Sequence, residues 1–187
     1  MGGKPLAVKV LSGGRVYLRP FEAGDLPRVY EIVNGDAEGR RLTGTQRVFP
    51  MDVLTEAMRS FALAANRVDF AVCREEDDQL IGEVVLNGID AINRTANFRI
   101  AMHPEYRDQG YGSEATDLML EYGFGVLNLH RIELEVYTIN PRAIHVYEKA
   151  GFQREGVKRQ NWFYNHQYYD SIVMSILDHE YRARKHP

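Results

Sequence analysis

Val16 and Leu18 alternate with polar neighbours across Arg15–Arg19, which predicts a short strand. Behind Pro20 and the acidic stretch Glu22–Asp25, Leu26, Val29, Tyr30 and Val33 recur at helical spacing, and a second helical pattern runs roughly from Met51 to Asn66. The apolar run Phe70–Cys73, the charged turn Glu75–Gln79 and the run Leu80–Leu86 predict a hairpin. Thr95–Met102 reads as another strand, interrupted by Pro104. Arg107–Gly112 then forms a turn opening a helix whose Ala115, Leu118, Met119, Tyr122 and Val126 keep the 3.6 period, with Gly123 and Gly125 inside it. Ile132, Leu134 and Val136 alternate with Glu133, Glu135 and Tyr137 in a clear strand. A short helix over Pro141–Ala150 follows, with proline in its first turn and Gly151 as its stop. Phe152–Leu177 offers two β-prone runs on either side of Asn165 and His166, a closing antiparallel hairpin. The order β α α β β β α β α β β predicts an α/β fold, a mixed and mostly antiparallel sheet with helices on both faces.

The chain has 187 residues, 44% of them hydrophobic, without repeats or a linker-like stretch, so one domain over 1–187 with a core from about 12 to 180 is expected. A net charge of -3 excludes a protein whose main work is coating nucleic acid or an anionic membrane; any phosphate binding must be local. Cys73 is the single cysteine, which leaves no thiolate cluster for a metal and points to a reducing compartment. The first residues lack the apolar core of a signal peptide, and Leu6 stands where a myristoylation signal needs Ser or Thr. No apolar run approaches the roughly 18 residues of a membrane span. The expectation is a cytoplasmic protein with no membrane or nucleic-acid partner and no metal.

Two segments carry chemistry. In Arg107-Asp108-Gln109-Gly110-Tyr111-Gly112-Ser113, between a strand and a helix, the glycines let a ligand approach the backbone while the helix start adds unpaired N–H donors. That geometry suits a diphosphate, although a tight turn without a ligand has the same pattern. The second segment, Asn140-Pro141-Arg142-Ala143-Ile144-His145-Val146-Tyr147-Glu148-Lys149-Ala150-Gly151-Phe152, follows a strand. Together, in this order and separation, they resemble the acyl-CoA-binding motifs of the GCN5-related N-acetyltransferases. Val16-Tyr17-Leu18-Arg19-Pro20 and Phe163–Asp170 extend the resemblance over nearly the whole chain, toward the branch of ribosomal-protein alanine and spermidine acetyltransferases.

The resemblance implies acetyl-CoA as co-substrate, bound where two parallel central strands, here Phe98–Met102 and Ile132–Ile139, splay apart. The edge at Ile100, Ala101 and Met102 would meet the pantetheine arm and supply an oxyanion donor near Ala101 or Met102. N–H groups of Arg107, Asp108, Gln109, Gly110, Tyr111, Gly112 and Ser113 would cradle the pyrophosphate, and Asn140 would bond the arm. Ala143 replaces the serine of many relatives, removing one hydroxyl. Tyr147 takes the position of the general acid that protonates the leaving thiolate, or is a core aromatic beside Ile144. A tyrosine near pKa 10 giving its proton to a thiolate near 8.5 works uphill by about 2 kcal/mol.

For a general base the residues themselves single out Glu83, a carboxylate in the apolar run Leu80–Leu86 that otherwise reads as an exposed strand position. His103 reads as a turn-shaping residue before Pro104; Asp90 and water stay open. Arg99, Arg107, Arg142 and Lys149 are the nearby cations. The aromatic cluster Trp162, Phe163, Tyr164, Tyr168 and Tyr169 could wall an amine pocket, make a homodimer contact or pack as core.

The acceptor is expected to be a protein N-terminal α-amine or a small-molecule amine. Arg40, Arg41 and Arg47 against only Asp36 and Glu38 weigh against a polyamine, which is kept as an alternative beside a non-catalytic acyl-CoA-binding domain.

Overall fold

The structure is a computed structural model and describes residues 8–185; 1–7 and 186–187, with the positions read for a lipidation signal and the first half of the stretch read for a leader, lie outside the described residues. A two-residue strand, β1 (Leu11–Ser12), pairs with β2 (Val16–Arg19), and three helices follow: α1 (Leu26–Asn34), α2 (Ala37–Thr43) and α3 (Met51–Leu63). Then come β3 (Arg67–Arg74), β4 (Leu80–Asp90), β5 (Thr95–Met102), α4 (Tyr111–Glu121), β6 (Arg131–Tyr137), α5 (Pro141–Ala150), β7 (Gln153–Tyr164), β8 (Gln167–Leu177) and α6 (Asp178–Lys185). All eight strands join one sheet in the order β1-β2-β3-β4-β5-β6-β8-β7, antiparallel throughout except for the β5–β6 pair. The fold is the expected mixed α/β architecture. No described helix is long and apolar enough to cross a membrane.

The alternation of each strand sorts its side chains between two layers. Val84, Leu86, Phe98, Ile132 and Leu134 turn to one face, where Ala115, Met119 and Phe124 from α4 and its extension, with Ile144 and Tyr147 from α5, complete the main core. Tyr17, Ala71, Cys73 and Leu80 turn to the other, under Ile32 of α1. Arg19 and Asp25, both buried, form a bidentate pair at 2.6 and 2.7 Å that fixes the path from β2 into α1.

Caps explain the sharp boundaries. Asn140 accepts the Ala143 N–H at 3.1 Å, and the N–H groups of Gly151 and Phe152 return to the carbonyls of Glu148 and Tyr147. Asn165 and His166 both take left-handed φ, 49° and 62°, giving the tight turn of the last hairpin. Gly123 and Gly125 fall in one π-helical turn, Tyr122–Val126, ending the α4 rod. A Cβ on Gly123 would lie 2.6 Å from Ile132 Cδ1, so the main core closes against bare backbone there.

A second close approach brings β5 onto β4 at a glycine. A Cβ on Gly82 of β4 would meet the Ala101 carbonyl oxygen and Met102 Sδ, each at 2.6 Å. Gly82→Ala should therefore displace the end of β5 and cost about 1–3 kcal/mol of stability, read as a lowered urea midpoint at unchanged slope.

Candidate active site

β5 and β6 are paired over Thr95–Asn97 and Arg131–Glu133 and no further. Beyond Asn97, β5 stays paired with β4 as far as Met102, while β6 stays paired with β8 as far as Tyr137. A wedge-shaped opening therefore splits the middle of the sheet, with an unpaired backbone edge on each side. Strand parity decides which groups face it. The His103 N–H donates to the Ile81 carbonyl at 2.8 Å and the Ala101 carbonyl points at Gly82, so odd-numbered residues of β5 spend their backbone on β4. Phe98, Ile100 and Met102 are left to face the wedge. Ala101 turns its backbone to β4 and offers its side chain to the cavity wall, while the backbone of Ile100 and Met102 is directed at the wedge.

The turn after β5 is held on both flanks. Arg15, just before β2, reaches across, donating to the Gln109 carbonyl at 2.8 Å and to Glu114 at 3.3 Å, while Glu114 accepts the N–H groups of Arg15 and Val16. Arg142, at the start of α5, pairs with Asp108 at 2.8 Å. Gly110 has φ 83° and no side-chain cap, so the N–H groups of Tyr111, Gly112 and Ser113 at the start of α4 have no partner within the helix. A Cβ on Gly112 would have nothing nearer than Met102 Cγ at 3.6 Å; the space in front of it belongs to the cavity. These donors and the helix dipole fit a diphosphate.

Not every residue of the turn contributes. The Arg107 N–H goes to the Pro104 carbonyl, and its guanidinium holds the Met102 carbonyl and the half-buried Asp36 at the N-terminus of α2. The cradle thus starts after Arg107. Gln109 donates its amide to the Glu105 carbonyl at 2.6 Å and Tyr111 lies under Arg15 at 5.0 Å, so neither side chain lines the cavity. The sequence carries no signal for the Arg15–Glu114 and Arg107–Asp36 ties, which span 99 and 71 positions of chain.

One cavity of about 730 Å³ passes through the wedge from one face of the sheet to the other. On the α4–α5 side its wall includes Gly112, Ser113, Asn140, Ala143 and Tyr147; on the α1–α3 side it includes Glu83 with apolar residues of all three helices. Asn140 spends its Oδ1 on the α5 cap, leaving the amide nitrogen as the donor for a ligand. Tyr147 is 9% exposed and packs edge-on against Phe98 and Phe152. Burial pushes its hydroxyl up to about 12, widening the gap to a free thiolate to about 3.5 pH units, or about 5 kcal/mol. Glu83 lies between Ala71 and Ala101 in the ladder on the α1–α3 face, where burial raises its carboxyl above the ordinary range against the opposing pull of Arg99.

The other candidates have structural employment. His103 Nδ1 accepts the Glu105 N–H at 3.4 Å, and Asp90 closes the β4–β5 turn by accepting from Ile92 and Asn93. Cys73 is fully buried, its thiol pushed up to about 11 by desolvation. Lys149 does not line the cavity. Trp162, Phe163 and Tyr164 do not wall the main cavity but face α2 across a separate space of about 390 Å³. Among the described residues no three His, Cys, Asp or Glu side chains gather as metal ligands.

A wedge between two parallel strands, a glycine turn at its mouth and an Asn-capped helix beside it define an acyl-CoA-dependent N-acetyltransferase. The family model for the acetyltransferase (GNAT) domain matches residues 15–153, and the chain belongs to that family. It is 39% identical over 169 residues to the spermidine N(1)-acetyltransferase of Vibrio cholerae, covering 89% of this chain and 95% of that one. To the enzyme of the same name from Escherichia coli K12 it is 35% identical over 172 residues, covering 92% and 91%. The crystal structure of the Vibrio cholerae spermidine N-acetyltransferase in complex with CoA and spermine matches with a TM-score of 0.85 at 32% identity, covering 89% of this chain and 98% of that one.

Gly112→Asp places a carboxylate in the phosphate cradle and should weaken acetyl-CoA binding at least tenfold, about 1.4 kcal/mol, by isothermal titration. Because a Cβ is tolerated there, the melting temperature should stay within a few degrees of wild type.

Proposed function

We propose that this chain transfers the acetyl group of acetyl-CoA to a small-molecule primary amine in a ternary complex, with Glu83 as general base and Tyr147 as donor to the leaving sulfur. The carrying observation is that these two side chains, on opposite layers of the sheet, line one cavity through the wedge. The amine enters as an ammonium and gives one proton to Glu83, whose raised pKa makes it a better acceptor than an exposed carboxylate. Its nitrogen then attacks the thioester carbon, and the Ile100 and Met102 edge offers N–H donors to the oxyanion. The C–S bond breaks as the thiolate draws the Tyr147 proton, and the second nitrogen proton restores the phenol. Full transfer from an isolated Tyr147 is steeply uphill, so its contribution is a hydrogen bond to the developing charge, completed in step with nitrogen deprotonation. The names of the relatives favour a polyamine as a second acceptor reading. A single free Cys73 supports a reducing, cytoplasmic setting, and the exposed aromatics Phe163 and Tyr168 support a homodimer contact at the β7–β8 tip.

Tyr147→Phe keeps the packing against Phe98 and Phe152 and should lower kcat about 10²-fold with the acetyl-CoA Kd nearly unchanged. Wild-type kcat, or a defect confined to the melting temperature, would remove Tyr147 from the chemistry. Glu83→Gln should lower kcat/KM by 10²–10⁴ and abolish the fall in kcat/KM that wild type shows as the pH drops through the Glu83 pKa. Stability should move oppositely. A carboxyl whose pKa is raised on folding costs nothing below the ordinary carboxylate pKa and opposes folding above its own, so the Gln variant should melt higher at pH 8 and no higher at pH 4.

A further inference from the structure

The α1–α3 end of the cavity, where Glu83 sits, is walled by Phe21, Ile32, Val33, Phe49, Leu54 and Phe61. Its charges are few and mostly committed. The whole cavity is lined by four arginines (Arg67, Arg99, Arg107, Arg142) and three carboxylates (Asp69, Glu83, Asp108). Asp69 is bound bidentately by Arg67 at 2.6 and 2.7 Å, with that guanidinium also over the Phe61 ring at 3.7 Å. Asp108 is held by Arg142, and Asp36, behind the wall, is held by Arg107. Among the described residues Glu83 is the one carboxylate of the lining without an ion-pair partner within 4 Å, and Arg99 lies on the same face of the sheet. A polyamine bringing one ammonium to Glu83 would leave its others among aromatic and aliphatic side chains, or against arginines, without counter-charge.

Resting on the acetyl-transfer reading above, we infer that the acceptor is a monoamine: one primary ammonium on an apolar body, aryl-alkyl or branched alkyl, that fills the chamber under α1 and α3. The ammonium seats at Glu83, beside the wedge where the thioester carbon arrives, and the body takes up the apolar wall. Selectivity comes from both sides of the difference, apolar burial for the monoamine and uncompensated charge against the polyamine.

The test is a steady-state comparison of 2-phenylethylamine, n-hexylamine and spermidine as acceptors, with acetyl-CoA binding measured separately. 2-Phenylethylamine should show kcat/KM at least tenfold above spermidine. Val33→Glu, which adds a carboxylate to the wall in the last turn of α1, should narrow or invert that ratio at unchanged acetyl-CoA Kd. Equal or preferred turnover of spermidine by the wild-type protein would overturn this inference and leave the acetyl-transfer reading standing. Failure to acetylate any of the three while acetyl-CoA binds would overturn that reading, and this inference with it. The wild-type comparison decides the matter even where the variant does not fold.

Discussion

The structure turns on the place where two strands stop pairing. A parallel pair that held along its length would bury its backbone groups in a continuous ladder, and the centre of the sheet would be closed. Here the β5–β6 pairing ends at Asn97 and Glu133 while each strand continues against its other neighbour. The unpaired groups cannot be left dry. They are satisfied by an extended polar ligand or by solvent, and the arm of acetyl-CoA is an extended ligand with amides to offer. Gly82, Arg107 and the Arg15–Glu114 pair act on this one feature. The first lets β5 lie close on β4, the second ties the Met102 carbonyl to α2, and the third anchors the glycine turn to β2.

Opening the sheet also joins two environments that the layers would otherwise separate. Tyr147 belongs to the main core and Glu83 to the opposite face, and each is perturbed chiefly by loss of water. Desolvation keeps the phenol protonated and makes the carboxylate more basic, the directions that the proposed roles of donor and base call for. The same dryness carries a cost. A desolvated carboxylate with no ion-pair partner among the described residues opposes folding at neutral pH, a pattern expected where stability is exchanged for chemistry.

Legibility in the sequence followed the range of the interactions. The α5 helix is written in adjacent letters, with Asn140 as cap, Pro141 in the first turn and Gly151 as stop, and its observed limits are the expected ones. The same holds for the turn at Asn165 and His166. α2 was not legible: it spans seven residues, none of them buried, and with Leu42 as its large aliphatic residue it has no stripe to repeat. α6 is equally hidden, since Tyr181 against Phe124 is its principal anchor. At the site, the glycine turn and Tyr147 could be found because motif and resemblance are local. Which of Ala101 and Met102 faces the wedge depends on ladder parity, and the employment of Arg107 depends on Asp36, which no local spacing encodes.

The cavity is therefore divided by charge in a way its composition conceals. Near α4 and α5 the unpaired N–H groups and the helix dipole make an anion-accepting end, suited to the diphosphate of CoA. Near α1 and α3 the wall is apolar and its one unpaired carboxylate is Glu83. Four arginines on the wall would suggest a ligand that is anionic throughout, but Arg67 and Arg142 are each neutralised by an aspartate of the lining and Arg107 by Asp36. What remains is Arg99 beside Glu83, two opposite charges on one face of the sheet. An arriving ammonium must compete with Arg99 for that carboxylate. A singly charged amine can do so while its body gains from the apolar wall, whereas each further charge on the ligand adds desolvation without a partner. The electrostatics of the site thus favour delivery of one amine at a time to the point where the thioester is presented.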